Sequence, residues 1–281
     1  MAIYTHKQSL VQALSPVREN NKIGFVPTMG ALHEGHISLV KKALDENDVV
    51  VISIFVNPTQ FNNSSDLDKY PRTPEDDISL LHSLDKELII YLPEVSDLYS
   101  ESVSSKNYDF DGLENEMEGK HRKGHFDGVG TILDKFFRIV QPDSAYFGEK
   151  DFQQLQIVRK LVEIENLPVN IVGCPILRES NGLAMSSRNK RLTEKQFEEA
   201  SVIYKVLNEV KENFSSTSIS ALNELVAERF LQNSHLNLEY FEIADEGTLK
   251  TAEQISNGAK YRAFIAAYAG EVRLIDNMSL N

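Results

Sequence analysis

The sequence predicts an α/β protein: a parallel-sheet domain over residues 1–175, then a smaller α+β domain over 176–281. Three observations carry this. Apolar strand-like runs alternate with helical periodicities as far as residue 175, after which helices come first and strands last. The run VVVISIFV at 49–56 is nearly all apolar and β-branched, as in a strand buried on both faces of a parallel sheet. Polar clusters at 28–36, 57–60 and 148–154 each follow a strand, so they fall on the sheet edge where open α/β sheets bind ligands.

Residues 6–19 place Leu10, Val11 and Leu14 on one helical stripe. Ile23, Phe25 and Val26 form a short strand that meets Pro27, and Thr28-Met29-Gly30 turns sharply into an amphipathic helix. Ile37, Val40 and Leu44 mark that helix, which ends near Asn47. Strand 49–56 completes a β-α-β unit, and 62–65 reads as exposed loop. Thr73-Pro74-Glu75-Asp76 is a helix start, with a cap residue, proline in the first turn and an acid three residues after the cap. A strand at 88–92 follows, then a serine-rich mobile segment at 99–106 and a mixed-charge stretch at 114–125. Helix 127–140, strand 144–147, a second strand–glycine–helix junction at Gly148 and strand 169–172 complete a Rossmann-like domain. The smaller domain reads as helices at 194–214 and 219–232, then strands at 238–244, 262–267 and 272–275.

A chain of 281 residues builds a full core and commonly two domains. The net charge of −13 excludes a general binder of nucleic-acid backbones but leaves room for local cations around a small anion. Cys174 is the only cysteine, which excludes an intrachain disulfide and a cysteine-based zinc site; a small buried residue is its expected role. The N-terminus lacks a basic-then-apolar leader pattern and no apolar run reaches spanning length, so a soluble cytoplasmic protein is expected.

The stretch GFVPTMGALHEGHISLV at 24–40 organises the rest. Strand, glycine turn and helix aim backbone N–H groups and a helix dipole at an anion. His33 and His36 stand three apart at the helix start, not four apart as in a zinc-binding H-E-x-x-H helix, so a phosphate-facing role outweighs a metal, the other reading being surface or capping histidines. Lys150 and Gln154 are spaced to share one face of the helix opened at Gly148, though a lone Lys-Asp pair is more often a solvated surface pair.

PTMGALHEGH at 27–36 resembles the signature of pantothenate synthetases (pantoate–β-alanine ligases), within the nucleotidyltransferase superfamily that carries HIGH-type ATP motifs. Four further blocks match in order: SIFVNPTQF at 53–61, YPRTPEDD at 70–77, FGEKDFQQL at 147–155 and GLAMSSR at 182–188. The matching region runs from 24 to about 191, and the C-terminal third carries no matching motif. The resemblance implies that pantoate carboxylate attacks the α-phosphorus of ATP, giving pantoyl adenylate and pyrophosphate, and that β-alanine then displaces AMP. Such chemistry rests on positioning and charge stabilisation, and no block supplies a Ser-His-Asp or Cys-His nucleophile. Other HxGH nucleotidyltransferases would share the first block but not the later ones. A non-catalytic module is disfavoured by the full set of charged groups.

Carried over residue by residue, the resemblance places ATP on Met29, Gly30, Ala31, Leu32, His33, Glu34, Gly35 and His36, with both histidines donating to phosphate. Gly148, Glu149, Lys150 and Asp151 would also contact ATP, Lys150 as a point charge and Asp151 towards ribose. Met185, Ser186, Ser187 and Arg188 resemble a mobile KMSKS-type loop over the triphosphate. His36, His33, Lys150 and Arg188 are the implied catalytic groups. Leu177 aligns with an adenine-contacting backbone position, or is simply a core residue. Gln60 and Gln154 would hold pantoate and β-alanine, helped by Asn57, whose other reading is a strand-end turn residue. His125, beside Arg122, aligns with a substrate-side loop usually written R-P-G-H-F, where this chain has Lys123; Tyr70 would pack beneath it. Asp76 and Asp77 look like acids near Mg²⁺, although first-turn acids also stabilise any helix N-terminus. Mg²⁺ is expected with ATP as substrate, held mainly by phosphates and water. No tightly bound organic cofactor, nucleic acid or membrane is expected, and the resemblance suggests a homodimer.

Overall fold

The computed structural model describes residues 1–61, 67–68, 70–84, 86–99 and 102–281; the loop expected at 62–65 and positions 100 and 101 of the serine-rich segment lie outside the described residues. The chain divides into two compact units, one formed by Met1–Glu149 with Gln153–Pro175, the other by Lys150–Phe152 with Ile176–Asn281.

In the first unit β1 (Ala2–Tyr4), β2 (Ile23–Thr28), β3 (Val49–Ile54), β4 (Ile89–Tyr91), β5 (Ser144–Gly148) and β6 (Asn170–Cys174) form one sheet in the order β1-β4-β3-β2-β5-β6. Every pairing is parallel. The chain moves outward from β2 through β3 to β4, then returns to the other side of β2 with β5. The strand order therefore reverses between β2 and β5, and the loops leaving their carboxyl ends diverge there. β1 has only three residues, too few to display an alternation in the sequence.

Helices cover both faces, as a sheet of nearly all-apolar strands requires. The alternation along β2 sends Val26 to one face, where it packs with Val50, Ile52 and Ile54 of β3 and with Ile37, Val40 and Ala43 of α2 (Glu34–Glu46). Leu81 of α3 (Pro74–His82) joins the same core. Phe25 turns to the other face and meets Phe136 of the long helix His125–Val140 edge-on, ring centroids 5.8 Å apart. Tyr91 and Phe55 meet the same ring at 6.0 and 6.1 Å. Counting α4 (Val95–Leu98) and α5 (Met117–His121), that long helix is α6, and α7 (Phe152–Ile164) follows β5. The first helix, α1 (Lys7–Leu14), is shorter than the 6–19 expected. Leu10 and Leu14 are buried, but Val11 is exposed, so its apolar stripe is only two residues wide.

The second unit holds an antiparallel sheet, β7 (Leu236–Asp245), β8 (Tyr261–Ala269) and β9 (Val272–Ser279), in that order. Against it pack α9 (Ser201–Asn213) and α10 (Ile219–Leu231), with Ile203, Leu207, Val210, Leu222 and Val226 fully buried beside Ile265 and Ala267 of the central strand. The single helix expected at 194–214 is two: α8 (Glu194–Glu199), started by a capping box between Thr193 and Gln196, ends at Ala200 before α9 begins. Among the described residues no helix is long and apolar enough to cross a membrane.

Candidate active site

The β2–α2 junction is built around a positive-φ turn and a buried carboxylate. Thr28 Oγ1 donates to the Ser53 carbonyl at 2.7 Å and accepts from Gly30 N at 3.3 Å, closing the end of β2. Gly30 has φ +81°, and a Cβ there would stand 3.0 Å from Asp77 Oδ2. Ala31 follows with φ +50°. Asp77 holds this strained loop: its Oδ2 accepts from Ala31 N at 2.9 Å and its Oδ1 from Leu32 N at 2.7 Å, with Thr73 Oγ1 at 3.3 Å.

Helix α2 is capped by its histidines. His33 is the N-cap, and its Nδ1 accepts from Gly35 N at 3.1 Å. His36 Nδ1 reaches back to accept from His33 N at 3.3 Å, and the ring centroids lie 4.1 Å apart. With each Nδ1 accepting, each neutral ring carries its proton on Nε2. Two N–H groups that a helix start leaves unpaired are thus satisfied.

Gln60, 7% exposed, ends a 3₁₀ turn after β3 (Pro58–Gln60). Its Nε2 donates to Met29 Sδ at 2.6 Å, and its Oε1 accepts from Asn57 Nδ2 at 3.3 Å. Its carbonyl accepts from His125 Nδ1 at 2.8 Å and Arg122 Nη2 at 3.5 Å. His125 therefore carries its proton on Nδ1, the opposite tautomer from His33 and His36. Asn57 is fully engaged: Nδ2 also donates to the Gly128 carbonyl at 3.0 Å, while Oδ1 accepts from Tyr99 OH at 2.7 Å and Thr59 Oγ1 at 3.2 Å. It is neither a simple turn residue nor a group with donors to spare, but a brace for Gln60. Tyr70 packs edge-on against Phe61, 5.6 Å between centroids, next to Gln60 in the chain.

Three of the sequence blocks, and the loop that carries His125, thus meet inside the first unit, through Met29, Gln60, Asp77 and His125. Gln154 lies half-buried in the first turn of α7. The structure corrects one expectation about it. Lys150 belongs to the 3₁₀ turn Glu149–Asp151 and α7 starts only at Phe152, so Lys150 and Gln154 do not share one continuous helical face. Sequence reasoning missed Gln153, buried, which donates to the carbonyls of Leu113 and Glu116 at 2.8 and 2.7 Å and accepts from Glu118 N at 3.0 Å. It fixes the segment leading to Arg122 and His125. Tyr99 was missed as well. No local signal marks either residue, since their partners lie 35 to 42 positions away.

For a metal, Asp77 already uses both oxygens to hold the 30–32 loop, and Asp76 is exposed on the first turn of α3. Among the described residues no group of three or more His, Cys, Asp or Glu is placed to hold a metal ion. The acids therefore do not fit a resident metal site, and Asp77 acts as a loop brace.

In the second unit, Lys150 lies in the 3₁₀ turn with its Nζ 3.9 Å from Asp151 Oδ1. Residues 177–185 form a hairpin: Met185 N donates to the Leu177 carbonyl at 3.0 Å and Glu179 N to the Leu183 carbonyl at 2.8 Å. The Leu177 side chain is exposed, which overturns the core reading and leaves its backbone as the structured part. Ser186 caps the 3₁₀ turn Ser187–Arg191, its Oγ accepting from Arg188 N at 3.3 Å.

The fold and the junction at 28–36 define a class: doubly wound α/β proteins that present a helix N-terminus where the strand order reverses. Within that class the chain belongs to the pantoate–β-alanine ligase family, whose profile matches residues 2–279. It is 53% identical over 282 residues to the pantothenate synthetase of Christiangramia forsetii, with all of each chain covered. It is 54% identical over 281 residues to that of Flavobacterium psychrophilum, again with full coverage of both. A crystal structure of pantothenate synthetase from Thermus thermophilus matches with TM-score 0.91 at 37% identity, covering 100% of this chain and 99% of that one. The Francisella tularensis pantoate–β-alanine ligase, solved with a β,γ-ATP compound and β-alanine, matches with TM-score 0.81 at 38% identity over 100% and 98% of the chains.

Proposed function

We propose that this protein joins pantoate to β-alanine at the expense of ATP, through a pantoyl-adenylate intermediate, releasing pyrophosphate and then AMP. The observation that carries this reading is the histidine-capped N-terminus of α2 at the reversal of strand order. His33 and His36, both with Nδ1 bound to backbone, carry their ring protons on Nε2 at the positive end of a helix. Negative charge building on the phosphates is stabilised most by donors already in place. The protein need supply no covalent nucleophile, because the pantoate carboxylate attacks the α-phosphorus and pyrophosphate leaves.

Met29 to His36 and Gly148 to Asp151 are the proposed ATP contacts, with Lys150 as a point charge. Ser186, Ser187 and Arg188 supply hydroxyl and cationic donors to the triphosphate, and the Leu177 backbone faces adenine. Gln60 and Gln154 hold the carboxylate substrates. Asn57 and His125 enter through Gln60, bracing its side chain and its carbonyl. Mg²⁺ arrives with ATP as part of the substrate, coordinated by phosphate oxygens and water.

The test is exchange of labelled pyrophosphate into ATP. Exchange that depends on pantoate is expected; exchange without pantoate, or none, overturns the reading. A homodimer working in the cytoplasm completes the proposal, on the strength of the family resemblance. Light scattering should then return twice the 31.7 kDa chain mass.

A further inference from the structure

The C-terminal third carries no motif of the reaction, yet its last strand holds two adjacent polar residues, Asp276 and Asn277, 3% and 2% exposed. Each binds a different segment of the second unit. Asn277 Nδ2 donates to the Lys150 carbonyl at 2.9 Å, and its Oδ1 accepts from Arg262 Nη1 at 2.6 Å. Arg262 in turn donates through Nε to Glu246 at 2.8 Å and lies over the Phe152 ring, 3.8 Å from its centroid. The turn bearing Lys150 is thereby fastened to β8 and β9 within the second unit. Asp276 takes the other segment. Arg178 grips its carboxylate with Nη1 at 2.6 Å and Nη2 at 3.1 Å, and the same Nη1 donates to the Gly182 carbonyl at 3.0 Å. Arg178 and Gly182 belong to the hairpin that runs directly into Met185-Ser186-Ser187-Arg188. Asn277 N closes the link by donating to Asp276 Oδ1 at 2.8 Å.

A buried ion pair seldom stabilises a fold more than apolar residues of the same size would. What this one supplies is geometry: a fixed backbone separation between the segment carrying Lys150 and the segment carrying Ser186 to Arg188. We infer that Asp276 and Asn277 are positioning residues that hold Lys150 and the 185–188 loop in one arrangement for the polyphosphate of ATP. This rests on the proposed role of Lys150 in adenylation. Neither residue touches substrate.

The test uses Asn277→Asp, which keeps size and the Arg262 acceptor but removes the donor to the Lys150 carbonyl. Pantoate-dependent pyrophosphate exchange should fall on the order of tenfold to a hundredfold, the usual cost of a small displacement near the chemistry. Turnover of supplied pantoyl adenylate with β-alanine should hold within about twofold, since that step needs no pyrophosphate leaving group. In a Lys150→Ala background, Asn277→Asp should add nothing. Equal losses in both half-reactions, or multiplying losses in the double variant, overturn the inference. Should Asn277→Asp fail to fold, Arg178→Lys replaces it, with a raised KM for ATP expected and an unchanged KM overturning the inference. Absence of pantoate-dependent exchange in the unsubstituted enzyme overturns the proposed function itself, a result these variants cannot mimic.

Discussion

His33 and His36 each use ring Nδ1 on the backbone at the start of α2, and the proposed contact with phosphate falls to Nε2, so one substitution is read in two ways, by rate and by stability. His36→Ala should lower pantoate-dependent exchange on the order of a hundredfold or more, as loss of one preorganised donor does. The accompanying loss of stability, read from denaturant unfolding, should stay near the ~1 kcal/mol of a helix cap. A near-normal exchange rate would reduce the histidine to a cap. Cys174 stands at the other extreme. Burial pushes its thiol up to about 11, so it is a neutral core group at pH 8. Native protein should resist iodoacetamide at pH 8 and be alkylated fully in denaturant; rapid native alkylation would refute its inert placement.

Among the elements, the contact between α6 and the 58–60 turn sets where Gln60 stands. Gly128 makes that contact possible: a Cβ on it would come within 2.4 Å of the Thr59 carbonyl oxygen and 2.7 Å of Gln60 Cα. Backbone on both sides leaves nothing flexible to give way. Gly128→Ala should destabilise the fold by about 1–3 kcal/mol through overpacking. It should also raise KM for pantoate, because Gln60 is displaced with the turn. A variant with wild-type KM would show that Gln60 tolerates the shift. The helices and strands that carry such contacts were legible in the sequence where their periods were strong. β3 announced itself through VVVISI, and α2 through Ile37 and Val40. β1 and the break between α8 and α9 were not, because three residues show no period and a capped helix can end in a run of good helix formers.

For the molecule as a whole, part of the decline of stability in acid comes from a carboxylate fastened across the first unit. The Lys106 ammonium, then the Arg138 guanidinium at 3.0 Å, hold the Glu165 carboxyl below its ordinary 4.5. A carboxylate depressed in the folded state contributes stability that is complete above its unfolded pKa. That contribution is lost as pH falls from about 4.5 through the lower folded value. Glu165→Gln should therefore lower the melting temperature at neutral pH and flatten its decline below pH 4.5. An unchanged acid limb would mean that the pair is solvated in solution.

The sequence by itself determined the strongly periodic strands and helices, the histidine-bearing turn and the family, because periodicity, turn chemistry and motif order are local properties. Only the tertiary structure decided which nitrogen of each histidine carries the proton. It likewise decided that Asp77 braces residues 30–32 from 45 positions away, and that Asn57 serves Gln60. Nor could any pattern near Lys150 announce that its carbonyl is held by Asn277, 127 residues further on. A hydrogen bond between distant segments leaves no period in the chain, so the second junction read from the sequence as the start of one helix. In the fold it is a short turn held by the last strand.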